Sequence, residues 1–441
     1  MKSFWQYFFV VLVSLISVSF KKKKCNTIKE DAAYLHIAMK ELTDVVVHDI
    51  YSPPVASRTY AYVSIAAYEV AIHANKNYVS LAGQLHGLNH VPEPDANKTY
   101  NYELAAVHAM LTVARALVIS EDSIGACDPK LLKQFKSDGM TEEVYENSLA
   151  YGKRVADFIL AWAAKDRYKE TRALPKYAVA DDEVSWKPTP PAYMKAVEPH
   201  WGEIRTFIID SAQQFKPLPA LAFSTDTLSR FYKEALAVYN AGIDLSDEQK
   251  AIANFWDCNP FKMNIDGHVM YATKKISPGG HWMNITAIAC KKVNADFVRS
   301  AEAYACVSIA IADAFISCWD EKYRSKVIRP ETYINQFIND AWMPLLQTPP
   351  FPEYTSGHSV VSAACAMMLT KIFGNNFSYA DSTEMEFELP PRNFNSFSEA
   401  AREAAISRFY GGIHYMPSIE NGIAEGERIG SFITKKLITV K

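Results

Sequence analysis

Residues 293–319 read VNADFVRSAEAYACVSIAIADAFISCW, and small or apolar side chains fall on nearly every face of a helix drawn through them. A helix that is apolar all round is buried among other helices. Alternating β-branched runs, which are typical of strands, are scarce after residue 27. The sequence therefore predicts an all-α protein in which this segment is a central helix.

Helical periodicity covers most of the chain after residue 27. The candidate helices are 28–49, 56–74, 101–119, 142–166, 226–241, 246–257, 293–319, 357–373, 397–411 and 418–437. So many helices in one chain favour packing as more than one helical bundle. Two stretches break the pattern. Residues 167–225, rich in Pro, Lys and Trp, predict a structured insertion or a lid, and 257–292 reads as a second irregular stretch.

Composition excludes several classes of protein. The chain has 441 residues, 49% of them hydrophobic and 22% charged, which is typical of a globular protein. A net charge of -3 leaves no electrostatic footprint for nucleic acid. The seven cysteines show no CxxC or Cys/His ligand spacing, so no disulfide framework is indicated and most read as small core residues.

The N-terminus, MKSFWQYFFVVLVSLISVSFKKKKC, has an apolar stretch over about residues 8–18, followed by four lysines. This pattern predicts an export signal over 1–27, with Ser17-Val18-Ser19 as the small-x-small cleavage site. Basic residues after the apolar stretch also fit an uncleaved anchor, although the stretch is short for a membrane span. We expect export to the periplasm or beyond, with 28–441 as a single domain that has no stable membrane part.

Three motifs with polar side chains lie in the C-terminal third of the chain. The first, KYRSKVIRP, contains Lys322 and Arg329. The second, TPPFPEYTSGH, ends in Ser356-Gly357-His358 at the start of a helix. The third, SRFYGGIH, contains Arg408 and His414.

Together these groups predict an anion site. A helix N-terminus attracts phosphate-like ions, and a glycine there lets the backbone approach the ligand closely. Each charge-assisted contact contributes roughly 1.5–3 kcal/mol, so three cations suffice for a di-anion. Two histidines remain, one to bond the central atom and one to move protons. Each motif alone fits surface charges or a structural histidine, whereas all three together favour the site.

The triplet K-x6-R-P, S-G-H and S-R-x5-H resembles that of the vanadium-dependent haloperoxidase and type 2 phosphatidic acid phosphatase superfamily. The resemblance implies an all-α fold with the site at the heart of a four-helix bundle. It also implies two four-helix-bundle-like halves, as in the haloperoxidases. The anion site would then lie in the C-terminal bundle, within 257–441.

The resemblance also implies roles for the motif residues. His414 would be the axial ligand of vanadium, or the nucleophile that takes phosphoryl in a phosphatase, and His358 would be the acid–base residue. Vanadate, whose site phosphate can also occupy, acts as a Lewis acid that activates hydrogen peroxide for attack by a halide, which yields hypohalous acid. The groups that would bind the vanadate oxygens are Lys322, Arg329, Ser356, Gly357 and Arg408.

One position departs from the family pattern. Many members carry an aspartate four residues after the last histidine, whereas this chain has Ser418. A carboxylate there would orient the imidazole and raise its basicity. We therefore expect the support to come from elsewhere, with Glu420 or a backbone carbonyl as candidates.

The stretches FWDCNPF, SPGGHWM and PPFPEYTSGHS resemble the bacterial branch of the haloperoxidases, which includes exported iodide-specific enzymes. The resemblance implies a haloperoxidase, and we expect hydrogen peroxide and iodide as substrates and a monomer. Phe351, Trp319 and Phe261 are candidates for a halide pocket, although the last two fit core positions equally well. The alternatives are an exported phosphomonoesterase that uses a histidine nucleophile and an anion-binding protein with a vestigial site.

His281 and Asp257 lie close to the motifs that resemble the bacterial haloperoxidases. His281 fits a residue at the mouth of the site, although a structural histidine is the more usual case. Asp257 reads either as the partner of a vanadate-binding arginine or as a helix-end or surface aspartate.

Overall fold

A computed structural model describes residues 32–137 and 140–441 of the chain. The predicted export segment, 1–27, lies outside the described residues. The fold is all-α, as predicted, with two short antiparallel pairs of strands.

The helices of the described residues begin and end as follows: α1 Ala33–His48, α2 Pro53–Ala71, α3 Tyr102–Leu117, α4 Glu121–Ser137, α5 Glu142–Ala163, α6 Tyr168–Thr171, α7 Arg230–Ile243, α8 Asp247–Phe255, α9 Pro278–Lys292, α10 Phe297–Ser325, α11 Pro330–Phe337, α12 Gly357–Phe373, α13 Phe397–Tyr410 and α14 Met416–Lys436. Short 3-10 segments occupy Ile72–Ala74, Trp201–Glu203 and Thr383–Phe387. The strand β1 (Lys262–Asp266) pairs with β2 (Val269–Thr273), and β3 (Tyr379–Asp381) pairs with β4 (Arg392–Phe394).

Helix α10 is the centre of the molecule. It packs against α2 on the N-terminal side and against α9, α12 and α14 on the C-terminal side, and α3 and α5 pack on α2. Within the described part of the chain, α10 is long and apolar enough to cross a membrane, but its apolar stretch is entirely buried in the protein. The buried helix predicted from 293–319 is therefore the shared core of two bundle-like halves.

The crossing of α12 and α14 positions the second and third motifs. Glycines at 422, 426 and 430 recur every four residues along α14, and a side-chain carbon at Gly426 would overlap the carbonyl oxygen of Val360. Small residues therefore let the two helices approach backbone to backbone. At the end of this contact the Ser356 amide donates to the Ser418 carbonyl over 3.2 Å, which holds the start of α12 beside the start of α14.

Four of the described helices, α4, α6, α9 and α11, were not predicted. Helix α9 lies in a stretch that reads as irregular because its first residues are Pro278, Gly279 and Gly280. Ser277 caps this helix by accepting from the Gly280 amide over 3.2 Å, and proline is favoured at a first helical position. A side-chain carbon at Gly280 would lie 2.9 Å from the Tyr60 hydroxyl, so this glycine permits close packing on α2 and is no sign of a loop.

The region 167–225 is a structured insertion tied to α10. Three successive backbone N–H groups, of Phe207, Ile208 and Ile209, donate to the Asp313 carboxylate over 2.7, 2.8 and 3.0 Å. Further along α10, Trp319 Nε1 donates to the Val197 carbonyl over 3.2 Å. The insertion therefore covers the C-terminal end of α10, where the first motif lies.

Candidate functional site

The ends of several helices bring the three motifs together. Lys322 lies in the last turns of α10, and Arg329 precedes α11. Ser356 caps α12, where its side chain accepts from the Ser359 amide. Arg408 lies near the end of α13, and His414 lies in the turn between α13 and α14.

One small cavity contains the centre of this arrangement. Its volume of ≈ 30 Å³ has room for about two water molecules, so it suits a small inorganic ion or peroxide. Gly357 and His358 line one part of its wall, and Arg408 and His414 line another. The aromatic side chains of Phe261, Trp319 and Phe351 complete the wall, so all three candidates for the halide pocket are at the cavity.

Three nitrogens at this site are buried and have no hydrogen-bond partner: Arg329 Nη2, Arg408 Nε and His358 Nε2. Most buried polar groups are paired, and an unpaired one destabilises the protein by roughly 1–3 kcal/mol. Two cations and an imidazole that converge in this state fit a tetrahedral oxyanion such as vanadate. These donors therefore fit vanadate, the cofactor that the resemblance implies.

Backbone carbonyls hold the two arginines in place. Arg329 Nε donates to Phe351 O over 2.9 Å and its Nη1 to Ile413 O over 2.8 Å, while Arg408 Nη1 donates to Trp256 O over 2.6 Å. Among residues 32–137 and 140–441, neither guanidinium forms an ion pair with a carboxylate. Burial lowers the pKa of Arg408, and it lowers the pKa of Arg329 to about 10, so both remain cationic at neutral pH.

Lys322 holds the loop that precedes α12. Its Nζ donates to the carbonyl oxygens of Pro352, Glu353 and Thr355 over 3.0, 3.1 and 2.5 Å. Burial lowers the pKa of Lys322 to about 8, with the charge of Arg329 acting in the same direction. Its three donors are thus directed at the loop, and its contact with vanadate oxygens stays a prediction.

The carboxylate that supports His414 is Glu353. Its Oε1 lies 2.7 Å from His414 Nδ1 and also accepts the Tyr415 amide over 3.1 Å. The expectation of Glu420 or a backbone carbonyl is wrong, because Glu420 is exposed on α14. Glu353 was not predicted because it lies 61 residues before His414 in the sequence. Its position in the loop PFPEYTSGH, just before the Ser-Gly-His motif, is the local feature that could have indicated a role at the site. Ser418 keeps a lesser contact, with its Oγ 3.4 Å from the same nitrogen.

The electrostatics make both histidines neutral. Burial, and then the charges of Arg329, Lys322 and Arg408, lower the pKa of His414 well below its ordinary value. Burial and Arg408 do the same to the pKa of His358. Because the neutral His414 donates its Nδ1–H to Glu353, its Nε2 carries a lone pair, and Arg329 Nη1 lies 3.2 Å from that atom. His414 is therefore prepared to bond an electrophilic centre in the cavity.

Glu353 titrates near neutral pH. Burial raises its pKa to about 7, and the positive charges of Arg329 and Lys322 oppose that shift. A carboxyl group with this pKa exchanges its proton in the range where the protein would work. The hydrogen bond that sets the tautomer of His414 is consequently sensitive to pH.

The aromatic wall has positive charge next to it. The Trp319 and Phe351 rings lie 4.8 Å apart between centroids. Lys322 Nζ lies 5.2 Å and the Arg329 guanidinium 5.1 Å from the centroid of the Phe351 ring. The halide role of these rings stays a prediction, but their location beside His358 and Arg408 agrees with it.

His281 and Asp257 are both buried. His281 has its Nε2 2.8 Å from Asp381 Oδ2 and does not line the cavity, which agrees with a structural role. Asp257 forms its ion pair with Lys275, over 2.7 Å, and its negative charge also acts on Arg408, where it raises the pKa of the guanidinium against the effect of burial.

A larger cavity of ≈ 780 Å³ lies beneath the insertion. Phe261 borders both cavities, so the two are adjacent. The wall of the larger one carries both signs of charge: Arg172 is paired with Glu198, and Lys176 and Lys195 lie in the same lining as Asp49.

Comparison with known proteins agrees with this geometry. The family model described as "VCPO second helical-bundle domain" matches residues 336–440. A solved structure described as the first bacterial vanadium-dependent iodoperoxidase is 51% identical, covers 93% of this chain and 97% of its own, and superposes with a TM-score of 0.88. The comparison with curated proteins gave no match.

Two further similar structures are the holo and apo forms of a bacterial vanadium-dependent chloroperoxidase. The holo form is 17% identical, with a TM-score of 0.66 over 88% of this chain and 93% of its own. The apo form is 16% identical, with a TM-score of 0.62 over 87% and 94%. At this level of identity the likeness shows the fold alone.

Proposed function

The chain belongs to the vanadium-dependent haloperoxidases, and we propose that it uses hydrogen peroxide to oxidise iodide to hypoiodous acid. One observation supports this proposal above the others: unpaired nitrogens of Arg329, Arg408 and His358 converge beside the neutral His414. The choice of iodide rests on the 51% identity to a bacterial iodoperoxidase and on the aromatic wall of the cavity. In the net reaction, iodide, hydrogen peroxide and one proton yield hypoiodous acid and water.

Vanadate would be held by His414 Nε2 and by the free donors of Arg329, Arg408 and the first turn of α12. When bound, it supplies a Lewis acid that activates hydrogen peroxide. Glu353 keeps the proton of His414 on Nδ1, so that Nε2 remains available. The arginines retain their charge and are held by carbonyls, and therefore need little reorganisation to bind an anion.

His358 is the residue that moves protons. His358 lies in the first turn of α12 and lines the cavity, and its Nε2 has no hydrogen-bond partner. Because burial and Arg408 keep the imidazole neutral, it can accept a proton from hydrogen peroxide as that molecule binds. The same nitrogen can then return that proton to the departing oxygen, which becomes water with the one further proton of the net reaction.

The aromatic wall favours the most weakly hydrated halide. Removing an ion from water into an apolar wall is costly, and the cost is smallest for a large, polarisable ion such as iodide. Lys322 and Arg329, which lie 5.2 and 5.1 Å from the centroid of the Phe351 ring, offset part of that cost for any anion. The wall thus discriminates between halides, while the cations increase anion affinity in general.

The test uses one protein preparation divided in two. One half is loaded with orthovanadate and given hydrogen peroxide with iodide, bromide or chloride. The other half is kept free of vanadate and given a chromogenic phosphate ester. We expect triiodide only in the loaded half, with bromide a poor substrate and chloride inactive, and loss of that activity in His414→Ala.

Other outcomes would overturn the proposal. Hydrolysis of the ester without iodide oxidation would make the protein a phosphatase in which His414, supported by Glu353, is the nucleophile. Tight vanadate binding with neither activity would make it an anion-binding protein.

We also propose that the protein is exported, works in the periplasm or outside the cell, and is a monomer without a membrane domain or a nucleic-acid partner. The pattern of residues 1–27 supports export, and the net charge of -3 supports the absence of nucleic acid. Cell fractionation with the full chain, followed by size-exclusion chromatography with light scattering, tests location and mass. Protein retained in the cytoplasm would contradict export.

A further inference from the structure

A second buried polar cluster lies beside the vanadate cavity. It contains the thiol of Cys258, the imidazole of His281 and the carboxylate of Glu384, whose ligand atoms all lie within 4.8 Å of one another. The three residues are 2%, 0% and 4% exposed. A haloperoxidase reaction at His414 does not require this cluster, and its thiolate, imidazole and carboxylate would repel an oxyanion and attract a cation.

The distances within the cluster are close to those of a tetrahedral zinc site. His281 Nδ1 lies 3.6 Å from Cys258 Sγ and 3.0 Å from Glu384 Oε1. Zinc binds nitrogen and oxygen at about 2.0–2.2 Å and sulfur at about 2.3 Å, which places neighbouring ligand atoms about 3.3–3.7 Å apart. Only small side-chain movements would therefore be needed to place an ion between them.

The orientation of His281 also suits a metal ligand. Its Nε2 lies 2.8 Å from Asp381 Oδ2, so that carboxylate can hold the ring proton on Nε2 and leave Nδ1 to coordinate. The Trp256 ring stacks on the imidazole with centroids 4.5 Å apart and keeps it in place. A carboxylate behind a histidine is the usual outer contact of zinc sites.

Glu384 and Cys258 share one ring nitrogen. Glu384 Oε1 is buried and lies 3.0 Å from His281 Nδ1, the same atom that lies 3.6 Å from the Cys258 sulfur. A single proton on that nitrogen cannot serve both the carboxylate and the sulfur, whereas a cation among the three ligand atoms would bind all of them. The oxygen faces the same space as the Cys258 sulfur, where a shared ion would satisfy both.

We propose that Cys258, His281 and Glu384 bind a zinc ion, with Asp381 as the carboxylate behind His281. Thiolate, imidazole and carboxylate together are a ligand set that zinc prefers over magnesium or calcium. The ion would replace one proton on the thiol and one on the imidazole. The buried cluster would then carry the same net charge with the metal as with those two protons.

Such an ion would stabilise one wall of the vanadate site. Cys258 lines the cavity, and the carbonyl of Trp256, two residues earlier, accepts from Arg408 Nη1 over 2.6 Å. A zinc ion on Cys258 and His281 would fix this segment and hence the position of the arginine.

The experiment measures metal content in the full, exported protein. Cells grown with added zinc yield wild type and variants, which are desalted and analysed by mass spectrometry of the metal. We expect about one zinc per chain in the wild type and less than about a tenth of that in Glu384→Gln and Cys258→Ala. Two matched controls, Cys365→Ala at another buried thiol and Glu386→Gln at a neighbouring exposed carboxylate, should keep the full amount.

A second measurement covers the case in which a variant folds poorly. After a chelator has removed the metal, added zinc should raise the melting temperature of wild type and leave that of Glu384→Gln unchanged. Cobalt should produce a thiolate charge-transfer absorption in wild type that is missing in Cys258→Ala.

Wild type that holds no zinc and shows no thermal shift would overturn the proposal. So would equal zinc in wild type and Glu384→Gln, since the metal would then be adventitious. Neither result bears on vanadate binding, which is measured separately.

Discussion

Arg58 and Arg408 are both buried arginines, one in each half of the molecule, and their charges are treated in opposite ways. Arg58 Nε donates to Asp166 Oδ2 over 2.5 Å, and its guanidinium lies 4.4 Å from the centroid of the Tyr168 ring. Arg408 has one carbonyl partner and a buried Nε with none. The charge of Arg58 is neutralised within the fold, whereas that of Arg408 is left for a ligand.

The contrast separates a structural site from a binding site. Asp166 also accepts from the Tyr62 hydroxyl over 2.9 Å and from the Tyr168 amide over 2.9 Å, so the N-terminal cluster is closed. The C-terminal cluster has two cations and two neutral histidines around a cavity, and it is complete only with an anion. An anion that binds there must therefore stabilise the folded protein, since ligands that bind only the native state do so by mass action.

The largest effect should come from His414→Ala. This change removes the imidazole whose Nδ1–H is held by the Glu353 carboxylate. The free Nε2 of that ring is the atom that would bond vanadate covalently. We expect vanadate retention after desalting and peroxidase turnover to fall to background. Both are measured directly, by metal analysis and by triiodide absorbance.

A matched histidine from the other half provides the control. His36 is buried, and its Nδ1 lies 2.7 Å from the Tyr304 hydroxyl. His36→Ala should lower the melting temperature and leave vanadate affinity unchanged. Full activity in His414→Ala would defeat the assignment of the site.

The two arginines should show a crossed pattern. Arg58→Ala leaves Asp166 buried without its cation, which should destabilise the fold by roughly 3–5 kcal/mol while the vanadate dissociation constant stays constant. Arg408→Ala should weaken vanadate binding by roughly 1.5–3 kcal/mol or more, yet change the stability of vanadate-free protein by only about 1 kcal/mol. Denaturant unfolding and calorimetry, applied to both variants, measure the two effects. If both substitutions changed stability and neither changed the vanadate dissociation constant, Arg408 would be a structural arginine like Arg58.

A smaller effect should come from Glu353 and should depend on pH. Because the pKa of Glu353 is raised to about 7, the carboxylate that accepts from His414 Nδ1 is present above that pH. As the pH falls through about 7, Glu353 gains a proton and can donate to Nδ1, which moves the histidine proton to Nε2. Vanadate affinity should therefore be highest above pH 7 and fall below it, as calorimetry across the pH range would show.

Glu353→Gln removes the titration and keeps an oxygen acceptor. It should flatten this step in the pH profile, whereas Glu353→Ala should weaken vanadate binding about 10–100-fold at all pH values, as is typical of an outer contact of a metal ligand. An unchanged step in Glu353→Gln would show that another group titrates.

How far the sequence predicts this contrast depends on how local the signal is. Helical period identified α10 as a buried core helix, and motif spacing identified Lys322, Arg329, Arg408 and both site histidines as one set. The spacing within each motif is local, so it survives in the sequence. The start of α9 was missed because Pro278 and two glycines read as a loop, although they cap a helix and let it pack closely.

The remaining misses were contacts between distant segments. Glu353 supports His414 across 61 residues, and Asp257 forms its ion pair with Lys275. No period or spacing encodes such pairs, because they arise from the way that loops fold over helix ends. The saturated pair of Arg58 and Asp166 is invisible in the sequence for the same reason, since 108 residues separate its members. The contrast between the two arginines therefore required coordinates.

Phe351 should give the smallest effect and the sharpest test of halide choice. Its ring lines the cavity, and Lys322 and Arg329 both lie within 5.2 Å of its centroid. Phe351→Leu keeps an apolar side chain but removes the flat ring, and with it dispersion contacts to a polarisable halide that we expect to be worth about 1 kcal/mol. We expect the KM for iodide to rise about fivefold, with kcat and vanadate affinity nearly constant, because 1.4 kcal/mol corresponds to about tenfold. Phe231→Leu, at a buried phenylalanine away from the cavity, is the control and should leave the KM unchanged. If Phe351→Leu changed the vanadate dissociation constant instead, the ring would support the cations of the site and have no part in selecting the halide.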